Sequence, residues 1–184
     1  MGYKDQKEEL DTIQEIYAGE EFFSSEFQSV LNNLEKALLS GSYNYVLDTI
    51  KRMEEGQKMT LEIKAIEISA LIGKQEFDAA RIKLDKLVNS GQVSIRSLAI
   101  IAHQYLRVNK PIEAMRVCKD GLKLDARSSS LLYEMGPAYN AIGQPKVAIE
   151  YFEAANQTNE EIAGIKKSAL KDALAATYMK LKDY

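Results

Sequence analysis

The sequence predicts an all-α protein, a solenoid in which helix-turn-helix repeats recur every 34 residues. The chain has 184 residues, 46% of them hydrophobic, and helix-forming residues such as Ala, Leu, Lys and Glu dominate. Small or β-branched apolar residues recur at a constant interval of 34 residues, at Val46, Ala80, Ala114 and Ala148. Periodicity of this length is typical of stacked helical pairs.

Further columns of residues follow the same register. They contain Ile50, Leu84, Cys118 and Phe152; then Met53, Leu87, Gly121 and Ala155; and, at the preceding turn, Tyr43, Phe77, Pro111 and Pro145. Two residues before the turn column lie Gly41, Asn109 and Gly143, and we expect Gly73 or Lys74 to take this role in the second repeat. Agreement between so many columns indicates a true repeat rather than a chance match.

Each repeat is predicted to contain a first helix and a second helix joined by a tight turn. The first helices carry apolar residues at helical spacing, namely Val30, Leu34 and Ala37; Leu98, Ile101, Ala102 and Tyr105; and Leu132, Met135, Gly136 and Tyr139. In the second repeat the pattern fits best when shifted by one position, which predicts one extra residue in its turn; the shifted residues are Ile63, Ile66 and Ala70. Such a helix pair buries its apolar face by stacking on neighbouring pairs.

The segment 129–162 resembles the tetratricopeptide repeat, and the residues that carry the resemblance are Leu132, Met135, Gly136, Tyr139, Ala148, Phe152 and Ala155. The segment 95–128 shares this pattern, and 27–60 and 61–94 carry it in degenerate form. The resemblance implies a right-handed superhelix of about four repeats over residues 27–162, with flanking helices.

The two ends of the chain carry opposite charge. Residues 1–26 contain two Lys against eight Asp and Glu, and residues 163–184 contain five Lys against two Asp. The first segment is predicted to hold an amphipathic capping helix over 4–18, and the second the first helix of a fifth repeat, after an insertion near 157–167. We expect the natural protein to continue past this helix. The charged ends are either solvated or suited to head-to-tail contact.

No pattern typical of an enzyme, a metal site or a cofactor site is present in the sequence. The chain has one Cys and one His, Cys118 and His103, and too few ligands for a zinc site. A net charge of −3 argues against a general nucleic-acid binder, and no apolar run is long enough to span a membrane. We therefore expect a cytoplasmic, non-enzymatic protein in which Cys118 is a buried packing residue.

The resemblance implies that the first helices line a concave groove. The candidate partner-binding residues are Lys64, Arg96, His103, Leu106, Arg107, Tyr133, Glu134, Pro137 and Asn140, with Ala99 and Ile100 beside them. Together they form a mixed apolar and weakly basic trough suited to a peptide or a helix. Arg107 and Tyr133 are the expected hot spots, because Arg and Tyr are enriched at such positions. The Lys/Asn/Arg clamp of chaperone-tail binders is absent, since Leu31 and Glu35 stand in its place.

The function that this resemblance favours is a protein–protein interaction scaffold that binds a partner in the groove. Two alternatives remain open at this point. The chain could assemble with copies of itself, head to tail, through its terminal helices. It could also be the regulatory or targeting repeat domain of a larger protein.

The stretch GPAYNAIGQP, residues 136–145, combines two kinds of structure. The register predicts a turn at Gly143, with Pro145 in the first turn of the next helix. It places Gly136 in a close-packing column inside the preceding helix, and Pro137 in the middle of that helix. Because proline removes a helical hydrogen bond, we expect a kink there and a free carbonyl at Tyr133.

Overall fold

The computed structural model describes residues 25–54, 59–158 and 167–182, and these ranges contain helices and turns without a strand. Within them lie nine helices: α1 (Ser25–Leu39), α2 (Tyr43–Glu54), α3 (Leu61–Gly73), α4 (Phe77–Asn89), α5 (Ile95–Arg107), α6 (Pro111–Leu124), α7 (Ser129–Ala141), α8 (Pro145–Gln157) and α9 (Lys167–Lys182). The odd-numbered helices are first helices of repeats and the even-numbered ones are second helices. The predicted capping helix at 4–18 and the insertion near 157–167 lie wholly or largely outside the described residues.

The chain separates into two compact units, residues 1–36 and 37–184. In the first unit the described residues, 25–36, belong to α1. In the second unit each first helix packs against the second helix that follows it, as α5 does against α6. First helices of successive repeats also pack side by side, as α3, α5 and α7 do. This arrangement is an all-α helical repeat solenoid, as the sequence predicts.

The turns inside the repeats are identical in length and similar in backbone conformation. Each contains three residues, and its middle residue has a positive φ, at Gly41 (81°), Gln75 (64°), Asn109 (57°) and Gly143 (76°). In each turn the next amide donates to a carbonyl five residues back, as Gln144 N does to Tyr139 O at 2.9 Å. These bonds form the Schellman motif, which satisfies the free carbonyls at the helix end.

The turn of the second repeat differs from the sequence prediction. The prediction of one extra residue is wrong, because α3 ends at Gly73 and α4 begins at Phe77, with the same three-residue turn as elsewhere. The left-handed position belongs to Gln75 rather than to Gly73 or Lys74. The Schellman geometry fixes that position by its distance from the helix end, whatever side chain occupies it.

The apolar pattern in α3 has a different cause from a shifted register. Ile68 and Leu71 are buried in the columns of Ala102 and Tyr105, as an unshifted register requires. The residues that suggested the shift, Ile63, Ile66 and Ala70, are buried as well. Because α3 packs against α2, α4 and α5, it has little free surface, and its periodicity is correspondingly weak.

The close-packing role predicted for Gly136 is confirmed. A Cβ atom at this position would overlap the ring of Phe152 on α8. Phe152 is 1% exposed, and burying a side chain of this size contributes about 1.5–3 kcal/mol. Gly136 and Pro137 both lie inside the helix α7, while Gly143 occupies the following turn, so the stretch divides as predicted. The kink at Pro137 stays a prediction.

Candidate functional site

The first helix α5 separates its side chains into a buried set and an accessible set. Its packing columns are buried, at Leu98, Ile101, Ala102 and Tyr105. Six of the side chains outside these columns are exposed or half-buried, namely Arg96, Ala99, Ile100, His103, Leu106 and Arg107, whereas Ser97 and Gln104 are buried. On α7 the corresponding half-buried residues are Ser130, Tyr133, Pro137 and Asn140. The accessible set holds most of the residues that the sequence assigns to the groove.

His103 and Glu134 join the first helices α5 and α7. The His103 Nδ1 atom lies 3.2 Å from Glu134 Oε1, with the His side chain 49% exposed and the Glu side chain 6% exposed. The hydrogen bond from Glu134 raises the pKa of His103 above its ordinary value of 6.5, and burial opposes this rise. Glu134 is therefore a buried partner of His103, whereas the sequence placed it on the groove surface.

Arg107 fastens α5 to the end of α1. Its Nη2 atom donates to the Leu39 carbonyl at 2.9 Å, and its Nη1 atom donates to the Leu38 carbonyl at 3.2 Å. These carbonyls belong to the last turn of α1 and carry the negative end of the helix dipole, and the Leu38 carbonyl also accepts from the Gly41 amide at 3.2 Å. A guanidinium is well placed to satisfy both of them. Arg107 has a clear structural role in addition to any role in binding.

Gln104 extends this polar contact toward α2. It is 1% exposed, its side-chain oxygen accepts a 3.4 Å hydrogen bond from Arg107, and its Nε2 atom donates to the Tyr43 hydroxyl at 3.2 Å. The sequence analysis missed Gln104. The register contained a signal for it, because the same column holds Ala70 and Ala138 in the neighbouring repeats, and a buried polar residue there requires partners.

Tyr133 and Asn140 face neighbouring helices as well as the predicted groove. Tyr133 is half-buried, with its ring centroid 5.6 Å from that of Phe152. Asn140 donates from Nδ2 to Thr177 Oγ1 on α9 at 2.7 Å. The Asn140 Oδ1 atom is buried, and no hydrogen-bond partner for it occurs among the residues that the structure describes. Both side chains help to hold the last described helices together.

Lys64 lies between α3 and α4 and not beside His103. In the unshifted register it occupies the column of Leu98 and Leu132, and it lines a depression between α3 and α4 together with Lys83. Its assignment to the groove beside His103 depended on the shifted register, and that register is wrong. Leu106 packs partly against the hydrophobic core, so its side chain is only in part available to a ligand.

The described residues hold few groups suited to chemistry. Cys118 is buried, as predicted, and burial raises the pKa of its thiol far above the ordinary range, so it is an inert packing residue. Among the described residues, no group of three or more His, Cys, Asp or Glu could hold a metal ion. None of the described helices is long and apolar enough to cross a membrane.

Comparisons with known proteins bear on the fold. No family model matches the sequence. DnaJ homolog subfamily C member 3 from Mus musculus and from Rattus norvegicus is 27% identical over 93 residues, half of this chain. The matched stretch spans only 18% of the length of each of these relatives.

Two solved structures are similar to the chain. That of MamA MSR-1 C2 has a TM-score of 0.50 and 15% identity, and the match covers 82% of this chain and 84% of that one. That of the P58(IPK) TPR domain has a TM-score of 0.47 and 19% identity, and the match covers 88% of this chain and 48% of that one. The first of these likenesses supports the helical repeat fold alone.

The constant register, the Schellman turns and the buried columns describe one kind of repeat. In the last of these repeats, Gly136 on the first helix leaves room for the Phe152 ring on the second. The chain is therefore an all-α helical repeat solenoid.

Proposed function

We propose that this chain is a non-enzymatic protein–protein interaction scaffold that binds a peptide or a helix of a partner protein. The proposed binding surface, called here the groove face, consists of Ala99, Ile100, His103 and Leu106 on α5 with Tyr133 and Pro137 on α7. The observation that supports it is the separation within α5, where the packing columns are buried while Ala99, Ile100, His103 and Leu106 remain at least partly accessible.

The composition of the groove face suits a polypeptide ligand. Ile100 and Leu106 lie about one helical turn before and after the partly exposed His103 on α5, and Pro137 adds apolar atoms from α7. An amphipathic helix or an extended segment can place apolar anchors on such a surface and use the polar group to fix its orientation. The contact between His103 and Glu134 joins α5 to α7 before any ligand arrives, and preorganisation of this kind lowers the entropic cost of binding.

The two expected hot spots also make structural contacts. Arg107 binds the carbonyls at the end of α1, and Tyr133 packs on Phe152. A double variant of Arg107 and Tyr133 would therefore disturb folding as well as binding. Ile100 is a cleaner probe, because it is half-buried on the groove face and has no polar contact to lose.

Site-specific photocrosslinking tests the proposal. A photoreactive amino acid replaces Ile100 in one sample and Ile112 in the control, since Ile112 is 62% exposed on the second helix α6. We expect a crosslinked partner from the Ile100 position that is absent from the Ile112 position, and Ile100→Glu should abolish its capture. Equal crosslinking from both positions, or full capture by Ile100→Glu, would refute binding at the groove face.

Head-to-tail self-assembly is a second candidate, and the surface of α9 favours it. Met179 is 69% exposed, and Ala175 and Ala176 beside it are exposed too. Sedimentation velocity at several protein and salt concentrations tests this alternative. A concentration-dependent oligomer that Met179→Glu dissolves supports self-assembly, whereas a monomer throughout the range rules it out at those concentrations.

A further inference from the structure

Charged residues replace apolar ones between the two helices of the second described repeat. The positions concerned face each other across α3 and α4. Lys64 stands where later repeats have Leu98 and Leu132, Glu67 where they have Ile101 and Met135, and Lys83 where they have Val117 and Tyr151. The later repeats fill this position with apolar packing, and burial of apolar surface is the usual source of stability there.

A depression of about 220 Å³ lies at the same place. Its walls include Lys64, Glu67 and Ile68 from α3, and Lys83, Lys86 and Leu87 from α4. The sides are basic, and Ile68 and Leu87, both buried, supply an apolar base. Pockets for small-molecule ligands have volumes of about 300–1,000 Å³. This depression therefore matches one or two amino-acid side chains better than a whole metabolite.

The depression is lined by more positive than negative side chains. Glu67 forms an ion pair with Lys83, whose Nζ atom lies 2.7 Å from Glu67 Oε1. Lys64 is half-buried and Lys86 is exposed, and neither has an ion-pair partner among the described residues. Two lysines without an ion-pair partner among the described residues thus line one depression, in addition to the Glu67–Lys83 pair. An anion bound there would be attracted by both ammonium groups.

Stability alone does not explain this arrangement. The Lys83 side chain is 42% exposed, and exposed ion pairs contribute about 0–1 kcal/mol. A leucine at position 64, as in the two following repeats, would bury more apolar surface than the lysine does. Lysine at position 64 therefore buries less apolar surface than leucine would, and a role in ligand binding would explain its presence.

We propose that the depression between α3 and α4 binds a carboxylate side chain of an acidic peptide segment, with Lys64 and Lys86 as its ionic partners. The methylene groups of the bound residue, or an apolar neighbour, would rest on Ile68 and Leu87. This surface belongs to other helices than the groove face does. It is a second contact point for a partner, and it does not depend on the groove face being correct.

Methyl NMR spectroscopy of the whole chain tests the proposal, because Ile68 and Leu87 place reporter methyl groups in the depression. The probe is the capped dipeptide acetyl-Ile-Glu-amide, and its uncharged isostere acetyl-Ile-Gln-amide is the control ligand. We expect saturable shifts of the Ile68 and Leu87 methyl signals with the Glu peptide and at least tenfold weaker binding of the Gln peptide. Raising the salt concentration should weaken the binding of the Glu peptide.

Two variants and one matched control complete the test. Lys64→Leu restores the side chain of the following repeats, so it should keep or raise the melting temperature while weakening binding of the Glu peptide about tenfold. Lys86→Ala should weaken binding similarly, and Lys119→Ala, which removes an exposed lysine on α6, should leave it unchanged.

Three results would overturn the proposal: equal shifts from the Glu and Gln peptides, unchanged affinity in Lys64→Leu and Lys86→Ala, or an equal loss in Lys119→Ala. A titration with inorganic phosphate separates the two possible sources of negative charge. If phosphate shifts the same methyl signals at lower concentration than the Glu peptide does, the assignment to a carboxylate is wrong. Loss of photocrosslinking at Ile100 would leave these measurements unaffected.

Discussion

His103 donates a hydrogen bond from Nδ1 to the buried carboxylate of Glu134, and the two atoms are 3.2 Å apart. The two residues are 31 positions apart in the chain, and the bond between them connects two neighbouring first helices. Burial of a carboxylate is unfavourable unless the charge is paired or hydrogen-bonded. The charge of the His103 imidazole therefore strengthens one polar contact between α5 and α7, which also pack through the hydrophobic core.

The first prediction concerns pH. Because Glu134 raises the pKa of His103 in the folded chain above 6.5, the stabilising contribution is complete below about pH 6. It is lost as the pH rises through the folded-state pKa, so the free energy of unfolding should fall between about pH 6 and pH 8. Urea denaturation at these two pH values measures the change.

Glu134→Gln is the control for this pH effect, because it removes the charge that raises the pKa while nearly keeping the shape of the side chain. The loss of stability between the two pH values should be smaller in this variant than in the parent chain. His103 is the one histidine in the sequence, so no other imidazole confounds the comparison. An identical pH dependence in the two proteins would contradict the prediction.

Arg107 is predicted to stabilise the turn between α1 and α2. Arg107→Ala leaves the Leu38 and Leu39 carbonyls without the guanidinium, and hydrogen bonds to charged groups contribute about 1.5–3 kcal/mol each when well formed. Since Arg107 is exposed, we expect a loss of about 1–2 kcal/mol in the free energy of unfolding.

Hydrogen exchange of the amides of Gly41 and Ser42 gives a local measurement of the same effect. These amides close the turn after α1, and they should exchange faster in Arg107→Ala. Arg127→Ala removes an exposed arginine from the loop before α7 and serves as the control. Equal exchange rates in the two variants would show that the contact contributes nothing measurable.

The local chemistry of the turns made much of the fold predictable. Pro111 and Pro145 lie at the first helical positions that the register indicates, and Gly143 has the positive φ that ends a helix. The turn at Gln75 was misassigned, because Gly73 is a stronger local signal than glutamine. Gly73 instead lies at the end of α3, where a Cβ atom would overlap the ring of Tyr43.

The contacts in the candidate site were less accessible to sequence reasoning. The register showed which side chains lie on the groove face, but not which of them meet across two helices. The pair formed by His103 and Glu134 depends on the stagger between α5 and α7. The contact of Arg107 with the Leu39 carbonyl spans 68 residues and involves a backbone atom, which no side-chain pattern reports.

Gly136→Ala tests the close packing of α7 on α8, because the change in the free energy of unfolding should have the opposite sign from that expected in an ordinary helix. In the interior of an ordinary helix, replacing glycine by alanine stabilises by about 0.5–1 kcal/mol. At position 136 the added methyl group would overlap the ring of Phe152, and overpacking of this kind costs about 1–3 kcal/mol. We therefore expect a net loss of stability, measured as a lower urea midpoint.

Phe152→Leu tests whether the overlap is the cause of that loss. A smaller side chain at 152 leaves room for the methyl group, so the double variant should be less destabilised than the two single changes together predict. Additive effects, or a stabilising Gly136→Ala, would show that the helices can move apart and that close approach is not required here.

Gln75→Gly is predicted to stabilise the chain. Gln75 has a φ of 64°, and a left-handed conformation costs roughly 1 kcal/mol for a residue with a Cβ atom. Glycine relieves this strain but has a more flexible unfolded state, so the net gain should be a few tenths to about 1 kcal/mol. Gly143→Gln reverses the change at the same place in the last described turn, where φ is 76°, and should lose a similar amount. Thermal unfolding of both variants measures the pair of effects, and a Gln75→Gly variant less stable than the parent chain would mean that the glutamine side chain contributes a contact that outweighs the strain.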